Sequence, residues 1–183
     1  RLWDEQLTTA MVDRLRRQPL LKVKSIIDIL KAIAAQRGSA VYDLLKEMLS
    51  TGELWGNEIN CHAGALLISH FGERGWRDVF PILEQHSEEA RSIVELLADV
   101  YDGELSPDDN NPVTQQLSAG SLADFYLWLS AEYPHDEDDQ VEGCHGVSTR
   151  ESVQFLRDRV FSRLRDLGTP ESVREFQRIR DEL

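Results

Sequence analysis

Two cysteines each stand directly before a histidine, in INCHAG (residues 59–64) and EGCHGV (142–147), so Cys61, His62, Cys144 and His145 come first for chemistry. Thiolate and imidazole are the usual zinc ligands. Structural zinc sites draw them in close pairs such as C-x2-C and H-x3-H, because one knuckle must aim two groups at one ion. Here Cys and His are adjacent, and adjacent side chains on a helix diverge by ~100°. Cys61 is therefore expected to pack as a small apolar residue, with His62 exposed or capping. No metal and no cofactor is assigned to these residues.

Other site chemistries fit less well. The run Asp136, Glu137, Asp138, Asp139 offers hard oxygen ligands, but it lacks the alternating D-x-D-x-D-G spacing and distant Glu of a calcium loop. No G-x-S-x-G elbow is present. A Cys–His dyad needs the two side chains hydrogen-bonded from distant positions, and nothing favours Cys61 with His145 or Cys144 with His62. Neither G-x-x-x-x-G-K-[ST] nor G-x-G-x-x-G occurs, so the usual nucleotide loops are missing. No catalytic residue is assigned. The aromatic residues Trp3, Trp55, Trp76, Trp128, Phe125, Tyr126 and Tyr133 read mainly as core, with Trp55 clasping one helix pair to the next.

The elements that would position these residues are helices. In SAVYDLLKEML the apolar set Val41, Leu44, Leu45, Met48, Leu49 makes one stripe at a period of 3.6. Val23, Ile26, Ile27, Leu30, Ile33, Ala34 repeat the pattern, as do Ile93, Val94, Leu97, Val100, Tyr101 and Val153, Leu156, Val160, Leu164. The periodicity predicts helices near 1–18, 20–37, 40–51, 58–73, 76–86, 88–101, 121–133, 150–167 and 170–182. Ser121 with Asp124 and Ser148 with Glu151 have capping-box spacing, and Thr169-Pro170 reads as an N-cap followed by proline at the first helical position. Gly38, Gly75 and Gly168 are each expected to end a helix. Gly38 and Gly75 stand 37 residues apart, which suits stacked helix–turn–helix repeats of HEAT type. The expected fold is all-α: an α-solenoid of stacked antiparallel helix pairs, HEAT-like, with two irregular insertions. Residues 1–101 form HEAT-like repeats, 102–120 a loop or insertion, and 121–183 a C-terminal helical segment with an acidic loop at 134–147. Together they are expected to make one contiguous domain.

Composition sets the outer bounds. The chain has 183 residues, 41% hydrophobic and 29% charged, with net charge −13. That is a globular composition, and two cysteines make no disulfide framework, so a cytoplasmic protein is expected. No apolar run approaches the ~20 residues of a membrane helix. The chain opens in mid-pattern without an initiating Met, as a piece of a longer protein would. Residues 51–149 hold three basic and twenty acidic side chains. Such a middle repels phosphate backbones, so neither nucleic acid nor membrane is expected as partner. A protein with a basic surface would be attracted.

The last third of the chain carries a resemblance. LADFYLWLSAEYPHDEDD, followed by EGCHGVSTRESVQFLRDRVFSRLRDLGTPESVREFQRI, resembles a helical region of large bacterial NACHT-type, STAND-class NTPases, downstream of the NTPase and within a helical-repeat array. Leu127-Trp128-Leu129, Tyr133-Pro134, His145, Ser148, Arg150, Glu151 and Gly168 to Val173 carry it. Cys144 departs from it, standing where a small residue is expected. The resemblance implies a non-enzymatic role: a repeat array that senses a ligand, often a foreign protein, and relays occupancy to an oligomerising ATPase, in bacteria commonly for defence against phage.

Together these readings predict a protein-binding sensor or scaffold whose contact residues include Asp136, Glu137, Asp138, Asp139 and His145. A structural connector without its own ligand is the first alternative. A metal-dependent all-α hydrolase using Cys61, His62, His70, Cys144 or His145 is the second.

Overall fold

A computed structural model describes residues 5–17, 21–50, 55–102, 112–135 and 149–183. Among the described residues the regular structure is helical: α1 (Glu5–Arg17), α2 (Val23–Ala34), α3 (Ser39–Ser50), α4 (Asn57–Phe71), α5 (Glu73–Leu83), α6 (Glu88–Asp102), α7 (Pro112–Gln116), α8 (Ala119–Glu132), α9 (Thr149–Asp166) and α10 (Pro170–Glu182). The protein is an all-α helical-repeat fold. No described helix is long and apolar enough to cross a membrane. The chain divides into two compact units, Arg1–Pro81 and Ile82–Leu183.

Each unit is built on a helix that is buried along most of its length. In the first unit α4 buries Ile59, Cys61, Ala63, Ala65, Leu66, Leu67 and Ile68, and α2 and α3 both pack on it. In the second unit α8 buries Leu122, Ala123, Phe125, Tyr126, Trp128 and Leu129, with α9 and α10 against it. A helix whose apolar residues spread beyond a single stripe belongs inside a domain. The flanking helices α2, α3 and α6 carry the one-sided stripes that cover such a core.

The repeat is real, but its period is not the one that the glycines suggest. Gly38 does not end α2. Arg37 takes the left-handed conformation there, with φ 55°, and the Gly38 carbonyl accepts from Val41 and Tyr42 to open α3. Gly75 lies inside α5, where a Cβ would sit 2.0 Å from the Leu67 carbonyl oxygen. It is glycine because α5 crosses the α4 backbone at contact distance. Gly168 does end a helix as expected, with φ 59°.

The true equivalence places Arg37 with His86, 49 residues on. His86 also ends its helix left-handed, with φ 49°. Both turns carry the same bonds: Gln36 N to Ile33 O at 3.0 Å and Arg37 N to Ala34 O at 2.9 Å, against Gln85 N to Ile82 O at 3.1 Å and His86 N to Leu83 O at 2.9 Å. Buried residues keep the same offset, as in Ile27 and Trp76, Leu30 and Val79, Ala34 and Leu83, Leu44 and Ile93, Leu45 and Val94, Met48 and Leu97. Gly168 closes a third such hairpin, between α9 and α10.

The buried helices also correspond. Gly56 N-caps α4 and Ser118 N-caps α8, 62 residues apart. At that offset Leu67 falls on Leu129, both wholly buried, and His70 falls on Glu132. The offset thus grows by thirteen residues, from 49 to 62, across the Asp-, Asn- and Pro-rich stretch before α8.

Two other local expectations change. Residues 102–120 contain a helix, α7, because Pro112 suits a first turn and Val113 and Leu117, one turn apart, are buried. The cap of α8 is Ser118 rather than Ser121: Ser118 Oγ accepts from Ser121 N at 3.2 Å. Thr169 is the expected cap of α10, in a reciprocal box with Ser172. Ser148, the other expected cap, lies outside the described residues.

Gly75→Ala is expected to destabilise the protein by about 3 kcal/mol, since its Cβ meets backbone that cannot give way. Gly120→Ala, where a Cβ meets only Ser118 Oγ at 4.0 Å, is expected to stabilise by about 0.5–1 kcal/mol. Urea unfolding of both variants beside wild type checks the contrast.

Candidate functional site

A convergence of titratable side chains lies in the second unit, at the C-terminal end of α8. That end is the negative pole of a buried helix, and its last carbonyls lack helical partners. Cations are the natural complement. The fully buried Arg157, on α9, donates from a guanidinium Nη to the Tyr133 carbonyl at 2.6 Å, and its Nε lies 3.2 Å from Asp158 Oδ1.

Glu132 adds a carboxylate to the same helix end, and two further groups meet it. Arg91 Nε, on α6, donates to Glu132 Oε2 at 2.5 Å, and His86 Nδ1, in the turn before α6, lies 2.7 Å from Glu132 Oε1. Burial pushes the Glu132 carboxyl up, but the bonds from Arg91 and His86 outweigh it and hold it below the usual carboxylate range. The same carboxylate raises Arg91.

The His86 ring lies parallel to the Trp128 indole, centroids 6.0 Å apart. Trp128 Nε1 donates to the Leu83 carbonyl at 2.6 Å, which fixes the indole and supplies the end of α5 with a donor. Tyr133 completes the cluster. Its hydroxyl donates to Glu95 Oε1 at 3.3 Å. Burial and then the Glu95 charge push the phenol up to about 12.

A histidine held by a carboxylate is the orienting half of a general-base system. The Ser87 hydroxyl, next in sequence, accepts from Ala90 N as the cap of α6 and is committed to that role. The arrangement works as a clamp: one carboxylate ties the α5–α6 turn, α6 and the end of α8 together.

Of the Cys and His residues singled out by sequence, the structure describes Cys61, His62 and His70, all on α4. Asp136, Glu137, Asp138, Asp139 and His145 lie outside the described residues, as does Cys144. Cys61 is buried on α4, with Sγ 3.9 Å from Asn57 Oδ1, the small-apolar packing expected of it. His62 is neither exposed nor capping. It is half-buried, and desolvation, then the nearby Lys31 charge, lowers its pKa. His70 is half-buried too and is lowered by desolvation and then by Arg37. Among the described residues no three His, Cys, Asp or Glu side chains converge as metal ligands would. Trp55 is buried. His86, Arg91 and Glu132 were invisible to motif reasoning, because residues 41 and 46 apart meet only through the fold.

In comparisons with known proteins, the chain matches no family profile, no curated protein and no solved structure.

Glu132→Gln is expected to lower stability by about 1 kcal/mol at neutral pH, a figure already reduced for the solvent exposure of its partners. Because the folded carboxyl lies below its ordinary value of 4.5, its contribution is fully present above that pH and fades as pH falls through the folded pKa. Urea unfolding from pH 7 down to pH 3 should therefore show the wild-type advantage vanishing only at the acid end.

Proposed function

We propose that the chain is a protein-binding helical-repeat module, the sensor or scaffold part of a larger signalling NTPase of the NACHT type that its last third resembles. In this reading it holds a partner with a basic surface through the acidic segment Asp136, Glu137, Asp138 and Asp139, with His145 beside it.

The observation that carries the reading is where the charge sits. The first unit has eleven basic and ten acidic residues, whereas the second has nine basic and twenty-three acidic. The second unit also engages several of its few cations within itself. Arg157 is buried on the Tyr133 carbonyl, Arg91 is held by Glu132, and Arg178 is held by Asp124 at 2.6 Å. The surplus left for a partner is carboxylate, and a carboxylate surface steers basic proteins and repels nucleic acid. The acidic segment begins three residues after Tyr133 in sequence, and Tyr133 is fastened by its carbonyl to Arg157 and by its hydroxyl to Glu95. A recognition loop gains from such a fixed root, because less ordering remains to be done on binding.

Reversing Asp136, Glu137, Asp138 and Asp139 to Lys should abolish partner capture while leaving the circular dichroism spectrum unchanged. Paired affinity captures from phage-infected bacterial lysate, read by mass spectrometry, check this. Basic proteins retained by wild type and lost by the variant support the reading. Equal retention removes the segment from the site, and no specific retention by either leaves a structural connector.

A further inference from the structure

The second unit holds Arg157, Arg91 and Arg178 against oxygen acceptors. The first unit also fixes an arginine, but against a ring. Arg74, in the first turn of α5, sets its guanidinium carbon 3.4 Å from the ring centroid of Tyr42 on α3. At that distance only a guanidinium lying along the ring avoids a clash, and its N–H groups then point past the rim. Tyr42 is itself held from several sides. It is buried, the Phe71 ring meets it edge-on with centroids 5.2 Å apart, and its hydroxyl donates to Asp78.

Arg74 is exposed and forms no ion pair among the described residues. The Tyr42 hydroxyl beside it can take only one of its five N–H groups. Asp78, one turn along α5, has both oxygens engaged: Lys46 holds Oδ1 at 2.8 Å and Tyr42 holds Oδ2. Lys46 stands one turn from Tyr42 on α3, half-exposed, and spends one of its three N–H groups on Asp78. Two cations thus stand against one carboxylate, which leaves a single positive charge. The next pair, Arg77 with Glu73 at 4.0 Å, is balanced. Covering a tyrosine ring takes no charge, and a methionine would do it with its thioether. A guanidinium fixed in place with its N–H groups uncommitted is instead suited to gripping an oxyanion at two points, with little ordering left to do on binding.

We propose that Arg74, braced on Tyr42 and supported by the charge of Lys46, binds a carboxylate of a partner protein, an aspartate or glutamate side chain taken bidentately by the guanidinium. The single surplus charge suits a monoanion. A phosphoryl dianion would need a second uncommitted cation and would meet repulsion from Asp78. A nucleic-acid backbone would need a basic field, and the first unit has eleven basic residues against ten acidic. The site goes beyond the capture of a basic partner through the acidic segment and does not depend on it.

Titration with a blocked tetraglutamate peptide tests this, with affinity read by calorimetry and the contact located by nuclear magnetic resonance of the arginine Nε–H groups. The expected result is a saturable shift of the Arg74 Nε–H and binding weakened on the order of tenfold in Arg74→Met. Methionine still covers Tyr42, so the melting temperature should hold and lost binding would not reflect lost folding. Arg74→Lys keeps the charge without the fork and should bind between the two; should Arg74→Met fail to fold, this variant carries the comparison. Arg77→Met removes the same charge one turn away, at a fully solvated position, and should bind as wild type does. Equal binding by Arg74→Met, an equal loss in Arg77→Met, an equal response to tetraglutamine, saturation by inorganic phosphate at lower concentration than by the peptide, or no binding by wild type would each overturn the assignment.

Discussion

A helix buried on every side must still end, and its end is a row of carbonyls without partners. In this protein α8 ends against Arg157, Arg91, His86 and Tyr133, and much of the second unit follows from that need. The guanidinium of Arg157 is wholly inside the protein. An uncompensated charge there would cost several kcal/mol. It is tolerated because it meets a backbone carbonyl at the negative end of a helix and, through Nε, the Asp158 carboxylate. Glu132, by contrast, adds negative charge to a negative pole. It is stable there because two donors from another helix and its preceding turn converge on it. The same contacts that neutralise the helix end therefore fasten α6 and the α5–α6 turn to it, and α9 is fastened through Arg157.

Most of this architecture was legible in the sequence, for a plain reason. Helical stripes such as Val41, Leu44, Leu45, Met48 are local, and Ile26, Ile27, Leu30, Ile33, Leu44, Leu45, Ile93, Val94 and Leu97 are buried as the periodicity marks them, whereas Val23 is exposed and Tyr42 is buried unmarked. The side-chain cap of α10 at Thr169 was legible, whereas that of α8 was read three residues late, at Ser121 instead of Ser118. Helix ends were misread where glycine was taken as the only left-handed residue. Arg37 and His86 adopt that conformation at a cost, and no propensity rule points to them. Gly75 misled in the opposite direction. Its smallness answers to the Leu67 carbonyl across the helix crossing, a neighbour that sequence cannot supply. With Gly75 removed from the pattern and His86 put in its place, the period becomes 49 rather than 37, and the paired burial falls into register.

The clamp was hidden for a different cause. His86, Arg91 and Glu132 are ordinary surface residue types with no motif around them. Their chemistry is created by a carboxylate being brought within 2.7 Å of two donors by separate helices. The Cys–His dipeptides were conspicuous in sequence, but on α4 the helix turns Cys61 inward while His62 stays half-exposed, which is what adjacency on a helix requires.

The repeat register also leaves two stretches of the sequence unmatched. Residues 103–111 and 136–148 stand outside the matched hairpins and buried helices, and they hold eight acidic residues and no Lys or Arg. Removing them from the count leaves fifteen acidic and nine basic residues in the second unit, a balance much nearer to that of the first. A third of the carboxylates of the second unit thus belong to stretches that the repeat register does without, whereas its buried and paired arginines belong to the helices. Self-repulsion among clustered carboxylates opposes compact folding, so a chain selected for stability alone would gain by neutralising them. Their segregation in sequence leaves the described helices with a charge balance in which arginines such as Arg91, Arg157 and Arg178 are paired within the unit.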